Sequence, residues 1–177
     1  MTDRGLLTLA DGRPVPVRQI RPGDAEALQR LFGRLSERTI ELRYFGPMKQ
    51  LSDAQARRFA EVDGVDRYAL VALDPENEDE VVAVVRYDRS ESADGNAEYA
   101  ALVEDRMQGL GLGFALTRAL IEAARERGVE KLHALVLPHN TPMLKLLRSL
   151  GLPEKVRWQD GAERVDIELS PTDGDRN

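Results

Sequence analysis

The sequence predicts a mixed α/β (α+β) fold, a mostly antiparallel central sheet flanked by helices. Three observations carry that expectation. The order of elements reads strand hairpin, helices, three strands, helix, strand, helix, hairpin. After residues 103 and 137 the chain turns to helical spacing before the next strand, and such crossovers permit parallel pairing within an otherwise antiparallel sheet. A glycine-rich run, Gln108-Gly109-Leu110-Gly111-Leu112-Gly113, separates a strand ending at Val103 from a helix beginning near Phe114.

Each element has its local cause. Leu6–Leu9 and Val15–Ile20 flank Asp11-Gly12, which predicts an N-terminal hairpin over about 6–20. Asp24 is a candidate N-cap, and Ala27, Leu28, Leu31, Phe32 and Leu35 then recur at helical spacing. Ser36 restarts a helix toward Tyr44, ended by Phe45-Gly46-Pro47. Ser52 and Gln55 form a capping box before a helix through Val62. Tyr68–Leu73 and Val81–Tyr87 read as strands around an acidic turn at Asp74–Glu80, and Glu98–Val103 as the strand before the glycine run. Leu116, Leu120, Ile121 and Ala124 share one helical face, with Gly128 as the stop. Val129–Leu137 is a strand, and Asn140 with Pro142 opens a helix that Gly151 ends. Lys155–Gln159 and Arg164–Leu169 flank Asp160-Gly161 as a last hairpin, followed by a polar tail at 170–177.

Composition narrows the class. Length reads residues 1–177 as a single domain. Hydrophobic content of 42% and charged content of 32% fit a globular protein. No apolar run reaches the ~20 residues that span a bilayer, and the N-terminus lacks a signal-peptide layout. Cysteine is absent, which excludes disulfides, thiolate catalysis and cysteine metal sites. A cytoplasmic protein without membrane partners is the expectation. The net charge of −6 argues against a nucleic-acid partner.

A glycine-rich turn between strand and helix lets backbone N–H groups converge on an anion with the helix dipole behind them. A P-loop is excluded, since Phe114 and Ala115 follow Gly113 where Lys-Ser/Thr is required. A dinucleotide G-x-G-x-x-G fails from either starting glycine. What remains is Q-x-x-G-x-G on Gln108, Gly111 and Gly113. Taken alone it is either a phosphate cradle or a plain left-handed turn.

With its surroundings, the run resembles the acetyl-CoA pyrophosphate loop of the GNAT superfamily of N-acyltransferases. The resemblance covers roughly residues 13–170 and includes a second block, Asn140 with Met143, then Leu146, Leu150, Gly151 and Leu152. Residues around Asp11-Gly12, Arg21-Pro22 with Asp24, Ser36 and Arg43-Tyr44-Phe45-Gly46 are similar to the catalytic module of bacterial protein lysine acetyltransferases. It implies a splayed strand pair forming a CoA cleft, acetyl-CoA as co-substrate, and a primary amine acceptor, either a protein lysine or a small molecule. A homodimer is compatible with it.

The resemblance also assigns roles. Backbone at Leu102 and Val103 would pair with pantetheine, with an N–H near Val103 as oxyanion donor. Gln108, Gly109, Leu110, Gly111, Leu112 and Gly113 would hold the pyrophosphate, with help from Arg106, and Asn140 would bond the pantetheine amide while capping its helix. Glu98 would be the general base, roughly 13 Å upstream of the reacting position at ~3.3 Å per residue, acting through water. Alternation puts Glu98 with Ala100 and Leu102, so a partly buried carboxylate with a raised pKa is expected. An exposed edge-strand glutamate is the plain alternative. Glu104 and Asp105 read as solvated turn residues. Arg43 and Tyr44 are candidates for the acceptor mouth. His133 and His139 lack a third ligand, so no metal is expected. The position where many relatives carry a proton-donating tyrosine is Leu147, leaving Ser149, Tyr99 or water. That departure supports a second reading, a non-catalytic acyl-CoA sensor on the same fold.

Overall fold

An Asp-Gly turn folds the start of the chain back on itself, pairing β1 (Arg4–Thr8) with β2 (Pro14–Gln19). This is a computed structural model describing residues 4–91 and 94–169; the expected polar tail at 170–177 lies outside the described residues. Three helices follow: α1 (Ala25–Arg34), α2 (Glu37–Tyr44) and α3 (Asp53–Ala60). Ser36 caps α2 by accepting from Thr39 N–H, and the Ser52/Gln55 box closes both ways at the start of α3. Asp24 occupies the cap position of α1 but does not cap it. Its carboxylate instead takes a two-pronged bond from Arg18 at 2.7 and 2.8 Å and one from Arg21 N–H at 2.8 Å.

β3 (Arg67–Asp74), β4 (Asn77–Arg89) and β5 (Asn96–Val103) form a meander. β4 is longer than its apolar run because the turn is only Pro75-Glu76, stabilised by Glu76 N–H donating to Asp74 Oδ1. Backbone pairing, with register shifts after Ala72 and Leu73, therefore continues through polar residues that need no burial. α4 (Leu112–Glu126), β6 (Lys131–Val136), α5 (Thr141–Ser149), β7 (Glu154–Gln159) and β8 (Ala162–Glu168) complete the chain.

The eight strands run β1-β2-β3-β4-β5-β6-β8-β7. Every ladder is antiparallel except β5–β6. The two faces of the sheet carry separate cores. On one, Leu112, Leu116 and Leu120 of α4 and Leu147 of α5 pack over Tyr87, Tyr99, Leu132 and Val165. On the other, Leu28, Leu31 and Phe32 of α1, Ile40 of α2 and Ala56 of α3 pack over Val71, Val84 and Leu102. Each fully buried Leu or Phe contributes about 1.5–3 kcal/mol. The expected fold class holds, with β5 at the centre between the two helical layers.

Candidate active site

β5 and β6 part company at the middle of the sheet. They pair only through Asn96–Lys131, Ala97–Leu132 and Glu98–His133, while β5 stays with β4 as far as Val103. Antiparallel ladders alternate bonded and non-bonded pairs. Glu104 N–H donates to Val82 O at 2.8 Å, so the same phase bonds Leu102 to Val84 and Ala100 to Arg86. Val103 and Ala101 therefore turn their backbone groups away from β4, toward the gap. Leu102 does not; its backbone faces β4 and its side chain enters the opposite core. Of the expected backbone pair, Val103 alone faces the gap, and Ala101 joins it by the two-residue period that a sequence-level assignment to Leu102 overlooked.

The glycine run lies at the end of this gap. A short 3-10 turn (Asp105–Met107) leads into it, and Gly109 and Gly111 have φ of 75° and 80°. Gly111 in the left-handed region serves as N-cap, so α4 begins at Leu112, two residues earlier than Phe114. The first bond of the helix runs from Ala115 N–H to Gly111 O at 3.0 Å. The amides of Leu112, Gly113 and Phe114 precede it and point out of the helix start. A Cβ on Gly113 would meet Leu146 Cδ1 at 3.2 Å and Val103 Cγ2 at 3.5 Å, so α4, α5 and β5 converge here. Leu110 is tied to the N-terminal hairpin, its carbonyl accepting from Ala10 N–H at 2.9 Å.

Gln108 is placed differently from an anion ligand. Its amide Nε2 donates to Val103 O at 2.9 Å and approaches Thr39 Oγ1 at 3.3 Å. Arg106 is engaged too, by Glu104 at 2.8 Å and Asp74 at 2.7 Å, and these bonds raise its pKa. Glu104, expected to be solvated, is buried and also holds Arg34 at 3.2 Å. Asp105 accepts from Ser36 N–H, Ser36 Oγ and Thr39 Oγ1. Burial pushes Asp105 up, but these donors outweigh it and hold the carboxyl below the usual range. The turn after β5 is thus clamped to α1 and α2. Asp105 is exposed, as expected of a turn residue, but its partnership with Thr39 spans 66 residues and could not be read from sequence.

Glu98 shares a face with Ala100 and Leu102 as alternation requires, yet it is exposed. The expected burial fails because α1–α3 cover Leu102 but leave the start of β5 uncovered. Its register neighbours are Asp88 on β4 and His133 on β6. Burial and nearby Arg164 lower the pKa of His133, whose Nδ1 lies 2.9 Å from Asn96 Oδ1. Farther up this face, Leu28, Phe32, Tyr44, Phe59, Leu102 and Arg86 line a narrow pocket that Arg43 also borders. Burial raises the Tyr44 pKa. Arg86 lies inside an apolar strand run, a charge out of pattern that sequence reading could have flagged.

Asn140 caps α5, its Oδ1 accepting from Met143 N–H at 3.2 Å, which leaves the amide NH₂ for a ligand. Leu147 is buried in the core. Tyr99 is buried against Thr117 Oγ1 at 2.7 Å, and Thr117 in turn donates to Gly113 O. Burial pushes the Tyr99 phenol to about 12. Ser149 Oγ donates to Lys145 O at 2.6 Å. His139 lies 3.9 Å from Glu41, and among the described residues no group of three or more metal-binding side chains gathers.

The family model for the acetyltransferase (GNAT) domain matches residues 15–153. The chain belongs to that family. Acetyltransferase PA5475 of Pseudomonas aeruginosa is 33% identical over 150 residues, covering 84% of this chain and 80% of that protein. Acetyltransferase Pat of Mycolicibacterium smegmatis is 32% identical over 178 residues, covering 90% of this chain and 50% of Pat, so the chain spans about half the length of that relative. The GNAT domain of S. lividans PAT superposes with a TM-score of 0.86 at 34% identity, over 93% of this chain and 96% of that one. The GNAT chain is an N-acetyltransferase, of a family whose co-substrate is acetyl-CoA and whose acceptor is an amine. No helix among the described residues is long and apolar enough to cross a membrane.

Proposed function

We propose that this GNAT chain moves the acetyl group of acetyl-CoA directly onto a primary amine, with a protein lysine as acceptor and Glu98 as general base. The observation that carries the reading is the parting of β5 and β6 beyond Glu98–His133, with the start of α4 at its end. Pantetheine would lie in the gap along the backbone of Ala101 and Val103. The pyrophosphate would rest on the amides from Gly109 to Phe114, favoured by the positive end of α4.

The chemistry follows from what surrounds the gap. Glu98 takes a proton through water from the cationic amine, and the freed lone pair attacks the thioester carbonyl, forming the C–N bond. Negative charge then develops on the carbonyl oxygen, where a backbone N–H of Ala101 or Val103 stabilises it. The proton left on the nitrogen of the adduct passes to water as the intermediate collapses. The C–S bond breaks, releasing CoA thiolate. Leu147 cannot protonate it, Tyr99 is sealed in the core and Ser149 gives its hydroxyl hydrogen to Lys145 O, so water is the proton source.

Calorimetric titration with acetyl-CoA, beside a Gly111→Trp variant, tests the cofactor site. Binding in the native protein and its loss in the variant is the expected result. Single-turnover assays with lysine peptides then separate transfer from the second reading, a non-catalytic sensor, which the buried Leu147 favours. Binding without transfer to any amine would decide for the sensor.

A further inference from the structure

The pocket on the Glu98 face of β5 contains a cation without its complement of bonds. Arg86 is 4% exposed, yet Nε and Nη2 are buried without a hydrogen-bond partner. Nη1 donates to Phe59 O at 3.3 Å, and the guanidinium stands 4.8 Å over the Phe59 ring. Asp88 Oδ2 is 3.6 Å from Nε, too far for a hydrogen bond, and Asp88 is already bonded by Arg67 at 2.9 Å. Arg43 and Arg67 add positive charge around it. Arg86 therefore keeps an ion pair with Asp88, shared with Arg67, and no hydrogen bond at Nε or Nη2. A buried charge with two unmet donors is costly, and an apolar side chain of the same size would avoid that cost. Holding α3 through Phe59 O accounts for one of the N–H groups only.

The position of the cavity suggests its occupant. Arg86 pairs across the ladder with Ala100, and the next pair on the same face is Asp88–Glu98. The pocket is therefore on the side of β5 that carries the proposed base, and Ala100, Ala101 and Leu102 are among the residues that line it. Its walls are otherwise apolar or aromatic, from Leu28, Phe32, Tyr44 and Phe59. A planar guanidinium presenting adjacent Nε–H and Nη2–H matches the two oxygens of a carboxylate.

We propose that the acceptor amine also carries a carboxylate, which seats on Nε and Nη2 of Arg86. This rests on the transferase reading above. The carboxylate belongs either to an amino-acid-like small molecule or to an acidic side chain near the target lysine of a polypeptide. Arg86 sets which amine is acetylated, and Glu98 deprotonates it.

The test compares matched acceptors at saturating acetyl-CoA with the full chain. One pair is lysine and cadaverine, the same amine with and without a carboxylate. The other is a short lysine peptide flanked by Glu or by Gln. In at least one pair the carboxylate member is expected to have a KM lower by about tenfold or more, the range of a charge-assisted bidentate contact. The pair that responds identifies the source. Arg86→Gln should erase the difference by raising KM for the carboxylate member, whereas a merely structural role would move both members equally. Equal KM within both pairs of the wild type, with turnover intact, overturns the proposal and leaves the transferase reading standing. Because that comparison needs no variant, misfolding of Arg86→Gln does not spare it. Acetyl-CoA bound but transferred to no amine overturns both.

Discussion

The side-chain amide of Gln108 donates to the carbonyl of Val103, five positions earlier, at 2.9 Å, closing the loop between the end of β5 and the start of the glycine run. The same amide reaches Thr39 on α2. Gln108 therefore fixes where the loop begins relative to the strand edge, and Gln108→Leu removes that tie while keeping the volume. The expected result is a loss of about 1 kcal/mol in stability, by urea unfolding. Acetyl-CoA binding should weaken by about five- to tenfold, by calorimetry. Unchanged affinity would show that the loop is held elsewhere.

Glu98→Gln keeps shape and removes the proposed proton acceptor. Since Glu98 is exposed and makes no core contact, unfolding midpoints should match the wild type, and acetyl-CoA affinity should too. Turnover should fall by about 10²–10⁴-fold at neutral pH, with recovery at higher pH as the free amine fraction rises. Turnover that survives at pH 7 would transfer the role to Asp88 or to water.

Acid should unfold the protein through Asp24, Asp74 and Asp105. Burial pushes each carboxyl up, but bonds from Arg18 and Arg21, from Arg106 and Glu76 N–H, and from Ser36 and Thr39 outweigh it, so all three lie below the ordinary value. A carboxyl depressed in the folded state adds stability above its unfolded pKa of about 3.9, and that stability is lost as pH falls through the folded value. Urea midpoints should thus hold near neutrality and fall below about pH 4. Asp24→Asn should cost about 3 kcal/mol at pH 7 and flatten the acid limb. An acid limb as steep as the wild type's would remove Asp24 from the explanation.

Gly111 and Gly113 are required for different reasons. Gly111→Ala forces a Cβ into a backbone at φ 80° with no neighbouring atom in its way, so its cost of about 1–2 kcal/mol is conformational. Gly113 is helical, and alanine gains about 1 kcal/mol of propensity there, offset by crowding against Leu146 at 3.2 Å. Urea unfolding should rank Gly111→Ala clearly below Gly113→Ala. Equal stabilities would contradict the left-handed cap.

Local chemistry was legible where it is short-range. The Ser52/Gln55 box, the Ser36 and Asn140 caps and the Asp-Gly hairpins each depend on residues two to five apart, and all formed. What crosses the sheet was not. Nothing local tells that Asp24 would bond Arg18 instead of capping, that Glu104 would be buried between Arg34 and Arg106, or that Glu98 would lie beyond the cover of the helices. Phase along β5 decides whether Leu102 or Ala101 presents its backbone to the gap, and one hydrogen bond, Glu104 to Val82, sets that phase. Arg86 was visible as a charge in an apolar run, but its unmet donors exist only once Phe59 and Asp88 are in place.

Only three residue pairs stitch β5 to β6, from Asn96–Lys131 to Glu98–His133. Strands β1 to β5 lie on one side of that seam and β6, β8 and β7 on the other. On the proposed reading, a thioester ligand between the strand ends would take the place of the missing ladder, bonding to one half while touching the other. The co-substrate would then act as a removable ninth strand, its binding free energy added to the cohesion of the two halves. Each catalytic cycle, by releasing CoA, would return the molecule to its most weakly joined state.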